Sequence, residues 1–427
     1  MPSAQQQPFP PQGYIPAASA LPGIELFMPA PVVEQEQAVV DFKCPQCGAT
    51  TAYCIQERGL TCSYCGFYEP PHQAVVGKGA EAFEFTLEAL SRAAHGWGVE
   101  RLELQCQNCR AATSLPTGKL TSTCPFCGSN RVVQHAGDQN ALRPRFLIPF
   151  GVVPDACREL ATHWLGSSWM TPSALQRLAR LAEFVPIYLP FWTFDARTRA
   201  DWEAEVGHSE TERYYEDGEW KTRTVTVWKW ESGRAALFID DLLIPGTSRL
   251  SAVLLNRLKD FDTRQLVEYE PRYLAGMQAQ AYDVQLEAAW QQARAEMREQ
   301  TREACCDQAS TSEIRNFSMT LDFSDETWRY ALFPVYVAVY RYEDRAYQVM
   351  INGQTGTMAG QRPVDWGKVW LAVALMLVPG LALALLGIIT LIFGIGVIFL
   401  VFGLILLIVG GIFAFKTVQK AREMEHV

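Results

Sequence analysis

Residues 369–415 run for 47 positions without a charged side chain, and the only ordinary polar side chain among them is Thr390. A helix crosses the hydrocarbon core of a bilayer in ~20 apolar residues, so the run is long enough for two spans. Arg362 and Lys368 precede it, and Lys416, Lys420 and Arg422 follow it. Lys/Arg excess marks the cytoplasmic side of a span, so both ends are expected there. Residues 367–427 are therefore expected to be a transmembrane helical hairpin with a short basic tail, held in the lipid bilayer through residues 369–415. Gly380, Gly387 and Gly394 recur every seven residues, as do Gly396, Gly403 and Gly410, and the trios mirror one another about Ile395. Seven residues are close to two helical turns, and small residues let membrane helices approach closely. The expected helices are 368–392 and 397–420, turning at Ile395 and packed through these glycines, with 380 opposite 410 and 387 opposite 403.

The 368 residues upstream suit two or three domains. No charged segment followed by an apolar stretch stands at the N-terminus, so no secretory signal is expected. Residues 1–40, rich in Pro, Gln and Ala, are expected to be a disordered arm, because they bury too little apolar surface to offset chain entropy.

Eight of the 12 cysteines form four Cys-x-x-Cys pairs. Cys44, Cys47, Cys62 and Cys65 make one set and Cys106, Cys109, Cys124 and Cys127 a second, with 14 residues between the pairs in each and an offset of 62 positions between copies. In a long chain without a signal such pairs read as metal ligands rather than disulfides. Zinc takes four thiolates in a tetrahedron, two from each tight turn, and a 14-residue spacer accommodates a β-hairpin that brings the turns together. Residues 41–135 are thus expected to be a duplicated zinc-ribbon module holding two Zn²⁺ per chain. Gly48, Gly66 and Gly128 supply the positive φ that such turns favour; Arg110 stands where a glycine is expected, so its turn should differ. Neither set leaves an open ligand position, which argues against metal catalysis. Residues 41–135 carry eight cations and eight anions, and each Zn(Cys)₄ centre adds about −2. Phosphate-binding surfaces are basic, and the whole chain has a net charge of −9, so nucleic acid is disfavoured as a partner.

Residues 80–95 between the copies are expected to be helical. Residues 141–363 read as an α+β domain with antiparallel strands. Helices are expected at 154–165, 171–182 and 251–258, and a longer one extends to about 304 with Tyr282, Leu286, Ala289, Trp290, Ala293 and Met297 on one face. Strands are expected at 185–194, 200–206, 221–230, 236–244, 314–322, 328–342 and 345–351. Pro186 and Pro190 should put the first of these at an edge or bend it. Asp217-Gly218 signals a hairpin. Thr222, Thr224, Thr226, Trp228 and Trp230 alternate onto one face, expected to pack inside. Asp240 and Asp241, as strand neighbours, should point to opposite faces and chelate poorly. The pattern offers no Ser-His-Asp or Cys-His constellation, and the chain is not expected to be an enzyme.

The stretches 187–195, 273–276, 332–336 and 349–356 resemble a bacterial family of zinc-ribbon membrane proteins. Its members often carry the label "primosomal protein N-prime (replication factor Y)-like" or "TFIIB-type zinc ribbon-containing protein". The resemblance spans about residues 40–365. A helicase needs Gly-x-x-x-x-Gly-Lys-Ser/Thr; here Thr113 and Leu120 replace the first Gly and the Ser/Thr around Gly118-Lys119, so the helicase label does not carry over. Some membrane-anchored relatives resemble recruiters in envelope-stress systems, which implies a flotillin-like (SPFH) or phage-shock-like protein partner. The expected function is a cytosol-facing adaptor or scaffold, multi-pass in the inner (cytoplasmic) membrane with both termini cytoplasmic. Its rival is a membrane-tethered nucleic-acid-binding accessory factor of the replication or transcription type.

Overall fold

The computed structural model describes residues 14–17, 26–29, 42–70, 75–77, 83–84, 101–116, 124–127, 129, 131–136, 142–172, 175, 184–216, 218–342, 345–391 and 396–425. Two long β-hairpins and a short fifth strand form the middle of the central sheet, which has 12 strands among the described residues. β1 (Val185–Glu216) turns into β2 (Glu219–Pro245), and β3 (Ile314–Tyr342) turns into β4 (Arg345–Asn352), which pairs with β5 (Met358–Gly360). β1 lies between β2 and β3, antiparallel to both. The expected strands 185–194 and 200–206 are therefore one strand, as are 314–322 and 328–342. Register shifts along them coincide with positive-φ residues Asp241, Asn316 and Asp325. These are β-bulges, which bend and twist a strand without ending it.

Pro186 and Pro190 do not place β1 at an edge. The carbonyls of Tyr188 and Pro190 accept from Gln280 and Gly246 on the flank away from β3. The prolines' missing N–H groups fall on that same flank, where pairing around them is a short parallel bridge from Ile187 and Tyr188 to Gln278 and Ala279. The ladder with β3 loses nothing.

Both faces of the sheet are covered, so side-chain alternation decides what meets what. Tyr188, Trp192 and Phe194 of β1 join a core with α1 (Leu286–Cys306). Leu286, Ala289, Trp290, Ala293 and Met297 are buried on this helix, the face that their spacing predicts; burying each large apolar side chain stabilises by ~1.5–3 kcal/mol. Ile187, Leu189 and Phe191 point the other way, into a core with Phe333, Val335 and the short helix Ala252–Arg257. Ser251 caps that helix by accepting from the Leu254 N–H, as Ser commonly does.

β1 and β2 outrun β3. The last β1–β3 pair is Val206 with Ile314, yet β1 and β2 stay paired to Glu216 and Glu219. The ten β1 residues beyond Val206 extend the ribbon by ~33 Å at 3.3 Å per residue. Thr222, Thr224 and Thr226 are exposed, Trp228 is half-buried beneath the Arg315 guanidinium, and Trp230, 60 % exposed, stands at the base opposite Glu205. The alternating Thr/Trp face is therefore largely a solvent surface, not the interior packing expected; Trp220 near the tip is 73 % exposed. Ion pairs Arg223–Glu212 (2.8 Å) and Lys229–Glu210 (2.7 Å) and an edge-on Tyr215–Trp220 contact support the ribbon. Such cross-strand pairs contribute ~0.2–1 kcal/mol each, and a two-stranded ribbon is marginal alone.

α2 (Trp366–Thr390) and α3 (Gly396–Glu425) are long and apolar enough to cross a membrane. They pack through the glycines: a methyl group on Gly403 would come 2.5 Å from the Ala384 nitrogen, and one on Gly380 would come 2.9 Å from the Leu407 nitrogen. The expected register shifts, however. Gly380 packs beside Gly403 and Leu407, and Gly387 beside Gly396 and Leu400, so each meets a glycine seven residues earlier on α3 than expected; Gly394 and Ile395 lie outside the described residues.

Two further expectations change. In the arm, Tyr14–Ala17 pairs antiparallel with Leu26–Pro29, so part of it is a hairpin rather than coil. Of the expected helix 80–95, the described residues Phe83–Glu84 are extended and pair with Trp328 and Thr327 of β3. Apart from Thr171, Pro172 and Leu175, the expected helix 171–182 lies outside the described residues, as do Gly128 and the remainder of 80–95.

Candidate metal centres

Each set of four cysteines converges on a point. In the first, strands Ala52–Cys54 and Gly59–Thr61 form the hairpin between the two turns. The Cys44 and Cys65 sulfurs lie 3.4 Å apart and those of Cys47 and Cys62 3.5 Å apart. In the second, Arg101–Cys106 pairs with Ala112–Pro116 and with Val132–Ala136. Cys106 and Cys127 are 3.6 Å apart, as are Cys109 and Cys124. Within each set the four sulfurs all lie within 4.8 Å of one another. A tetrahedron with metal–sulfur bonds of ~2.3 Å has edges of ~3.8 Å, while a disulfide needs ~2.05 Å. Both sets can hold a metal ion.

In each set the turn favours the thiolate at one sulfur, Cys62 or Cys106, whereas Cys47 and Cys65 of the first set are raised and burial raises Cys109 and Cys124 of the second. In the first set, Gly48 (φ 73°) and Gly66 (φ 74°) close their turns by donating to the Cys44 and Cys62 carbonyls at 2.8 and 2.9 Å. The Cys65 and Tyr64 N–H groups reach the Cys62 sulfur and lower its pKa to about 6, which favours the thiolate that a metal requires. In the second set, burial works against the Cys106 thiolate, but the Cys109 and Asn108 N–H groups outweigh it and bring the thiol to about 7. Arg110 does not alter its turn as expected. It adopts φ 60° and donates to the Cys106 carbonyl at 2.9 Å, so a side-chain-bearing residue takes the conformation glycine takes elsewhere, at a cost of order 1 kcal/mol.

The central sheet assembles two polar clusters that spacing does not reveal. The first overturns the expected divergence of Asp240 and Asp241. Asp241 sits in the bulge at φ 55°, so oxygens of Asp195, Asp240 and Asp241 converge within 4.8 Å. Arg329 fills the charge requirement: its guanidinium meets Asp195 at 3.0 Å and Asp241 at 2.7 Å. Thr263 donates to Asp241 at 2.6 Å and Thr327 to Asp195 at 3.0 Å. Burial raises the Asp241 pKa, although the Thr263 bond and Arg329 oppose this. The cluster clamps β1, β2 and β3 at their bulges. The second joins His208, Glu231 and Ser310, which resemble a nucleophile, base and acid only by composition. His208 Nε2 meets Glu231 at 3.0 Å and the Ser310 hydroxyl at 3.5 Å, so acid and hydroxyl share one ring nitrogen. A relay needs them on opposite nitrogens. Ser310 donates to Glu231 through both its hydroxyl and its backbone N–H, tying down the base of the projecting ribbon.

The two cysteine sets sit on opposite faces of the sheet. Tyr53, Ile55 and Leu60 of the first join the Tyr188, Trp192 and α1 core, and Tyr53 packs its ring 5.3 Å from that of Tyr273. Cys106, Ala111, Cys124 and Phe126 of the second join the Ile187, Leu189 and Phe191 core. The second set is also continuous with the sheet, through Ser114 opposite Ala279. No protein-family model matches the chain, and no solved structure matches it. It is similar to YdjG of Bacillus subtilis (strain 168), an uncharacterized protein, at 24 % identity over 339 residues that cover 78 % of this chain and 92 % of YdjG.

Proposed function

We propose that the chain is a membrane-anchored adaptor: two structural zinc ribbons brace a sheet from which the β1–β2 ribbon projects to hold a protein partner, while α2 and α3 hold the assembly in the inner membrane. Zinc is the metal that all-thiolate tetrahedra favour, and four sulfurs per site leave no position for substrate. Lys/Arg on both flanks of the helical pair supports cytoplasmic termini. The resemblance to zinc-ribbon membrane recruiters favours an SPFH-like or phage-shock-like partner.

The carrying observation is the exposed ribbon. An aromatic-bearing two-stranded extension that no third strand covers is costly to maintain without a partner, and its unpaired edges suit strand addition. The test captures partners by crosslinking in intact membranes, comparing the full chain with a variant in which residues 210–225 are replaced by a two-residue Asn-Gly turn, which keeps Ser209 opposite Thr226. Loss of a partner from the variant, with metal content and membrane retention unchanged, supports the adaptor role. Equal capture by both refutes it. Steep, salt-dependent binding of DNA or RNA to the full chain favours the accessory-factor role instead.

A further inference from the structure

Where α3 ends, the soluble body and the helical pair close around a cavity of about 400 Å³. Three of its lining residues are cations, Arg257, Arg362 and Lys420, and no carboxylate lines it. Among the described residues, none of the three forms an ion pair with a carboxylate. The carboxylates nearby are otherwise engaged: Glu425 pairs with Arg345 at 3.2 Å and accepts from the Trp366 indole at 3.1 Å, and Asp365 caps α2.

The cavity is held in place. Arg362 stacks 3.6 Å from the Trp164 ring centroid, donates to the Ser167 hydroxyl at 3.2 Å, and its backbone N–H donates to the Met424 carbonyl at 3.1 Å. Met170, Val364, Val369 and Ala421 form a small core that fixes the two helices to the body. Lys420 lies five residues past Phe415, the end of the uncharged run. At 1.5 Å per residue that is ~7.5 Å beyond the hydrocarbon, the depth of lipid headgroups. Trp169, 52 % exposed, sits at the rim, the kind of side chain that favours a membrane interface.

We propose that this cavity binds the phosphate of an anionic phospholipid headgroup from the leaflet that α3 leaves. Guanidinium groups suit phosphate oxygens, and cations at the membrane surface attract anionic lipid. The cavity also excludes carboxylates, which a site for a cationic headgroup would need. This inference rests on the anchor role of α2 and α3 and names the lipid they sit beside.

The test is native mass spectrometry of the full chain in detergent, titrated with phosphatidylglycerol, phosphatidylcholine or soluble glycerol phosphate. The expected result is one retained phosphatidylglycerol, preferred at least tenfold over phosphatidylcholine. Arg257→Gln and Lys420→Gln should each weaken it roughly fivefold, since a cation near the surface contributes ~1 kcal/mol, with circular dichroism and metal content unchanged. Equal retention of both lipids, or no effect of either substitution, overturns the proposal. Glycerol phosphate binding as tightly as the lipid assigns the cavity to a soluble phosphate and overturns the lipid source. Carbonate extraction of the chain from membranes is the separate readout: release means the anchor role fails, whereas retention without lipid preference means only the headgroup site fails.

Discussion

The two cysteine sets share spacing, ligand type and offset, yet they do different mechanical work. The first is a small three-stranded sheet of its own, with Cys47 and Cys65 exposed. It meets the body through side chains such as Tyr53 and through a bond from the Tyr53 N–H to the Ala275 carbonyl at 2.9 Å. The second is built into the body: its strands continue the central sheet, Cys109 and Cys127 are half-buried, and Cys106 and Cys124 belong to the core itself. One cysteine set is docked and the other integrated. A metal held by the same four thiolates would therefore add local folding energy in the first copy and sheet integrity in the second.

The largest expected effect comes from removing the metals separately. Cys124→Ser should lose one metal and unfold much of the β1–β3 body, because metal binding and folding are coupled and the ligand lies in the core. Cys62→Ser should lose one metal and leave the body's melting transition in place. Limited proteolysis with elemental analysis checks both, and equal damage from the two substitutions would erase the distinction. A chelator should accordingly remove the metals in two phases, the exposed first set faster; a single phase argues against it.

Next in size is the docking contact. Tyr53→Ala removes a buried ring and should cost ~3–5 kcal/mol, releasing the first set from the sheet without loss of its metal. Protease cleavage near residue 70 with two metals still bound is the expected signature. A control outside both sets follows. Gly403→Leu forces a side chain against the Ala384 backbone and should cost ~1–3 kcal/mol or more, splaying α2 from α3 while both metals stay bound. Leu404, 54 % exposed, should tolerate Ala with a much smaller change. Cysteine crosslinking between the helices reads the difference.

The smallest effect belongs to Arg110. Glycine relieves its left-handed conformation, so Arg110→Gly should stabilise the second set by ~0.5–1 kcal/mol, read as a higher melting temperature with unchanged metal content. The converse Gly48→Arg should destabilise the first set by a similar amount. If both substitutions are neutral, the two turns differ in more than this residue.

Much of the local architecture was legible in the residues. Cys-x-x-Cys places both ligands within one turn, so the two sets of four needed no tertiary information beyond the pairing of hairpin ends. The burial of Leu286, Ala289, Trp290, Ala293 and Met297 follows from helical period alone, and the glycine face between α2 and α3 from the seven-residue recurrence, but which glycine meets which does not. Strand facing was less legible. Period-two alternation says which side chains share a face, not whether anything covers that face, so Thr222, Thr224 and Thr226 read as interior until the early end of the β1–β3 ladder left their stretch of β2 without a covering layer. The ladder's end is set by Ile314, about a hundred residues away in the chain.

What the sequence determined by itself, then, is chemistry that lies within a turn or a helical repeat: the two thiolate quartets, the uncharged run, and the apolar stripe of α1. What only the tertiary structure decided depends on backbone exceptions and distant neighbours. A positive φ at Asp241 turned two diverging carboxylates into a cluster with Asp195, and Arg329 bridges Asp195 and Asp241. Likewise, the opposite faces gripped by the two cysteine sets follow from which side of β1 each copy meets. The physical reason is the same in both cases. Alternation along a strand is a relative rule, and a single bulge or a different packing partner reverses its meaning without changing a nearby residue.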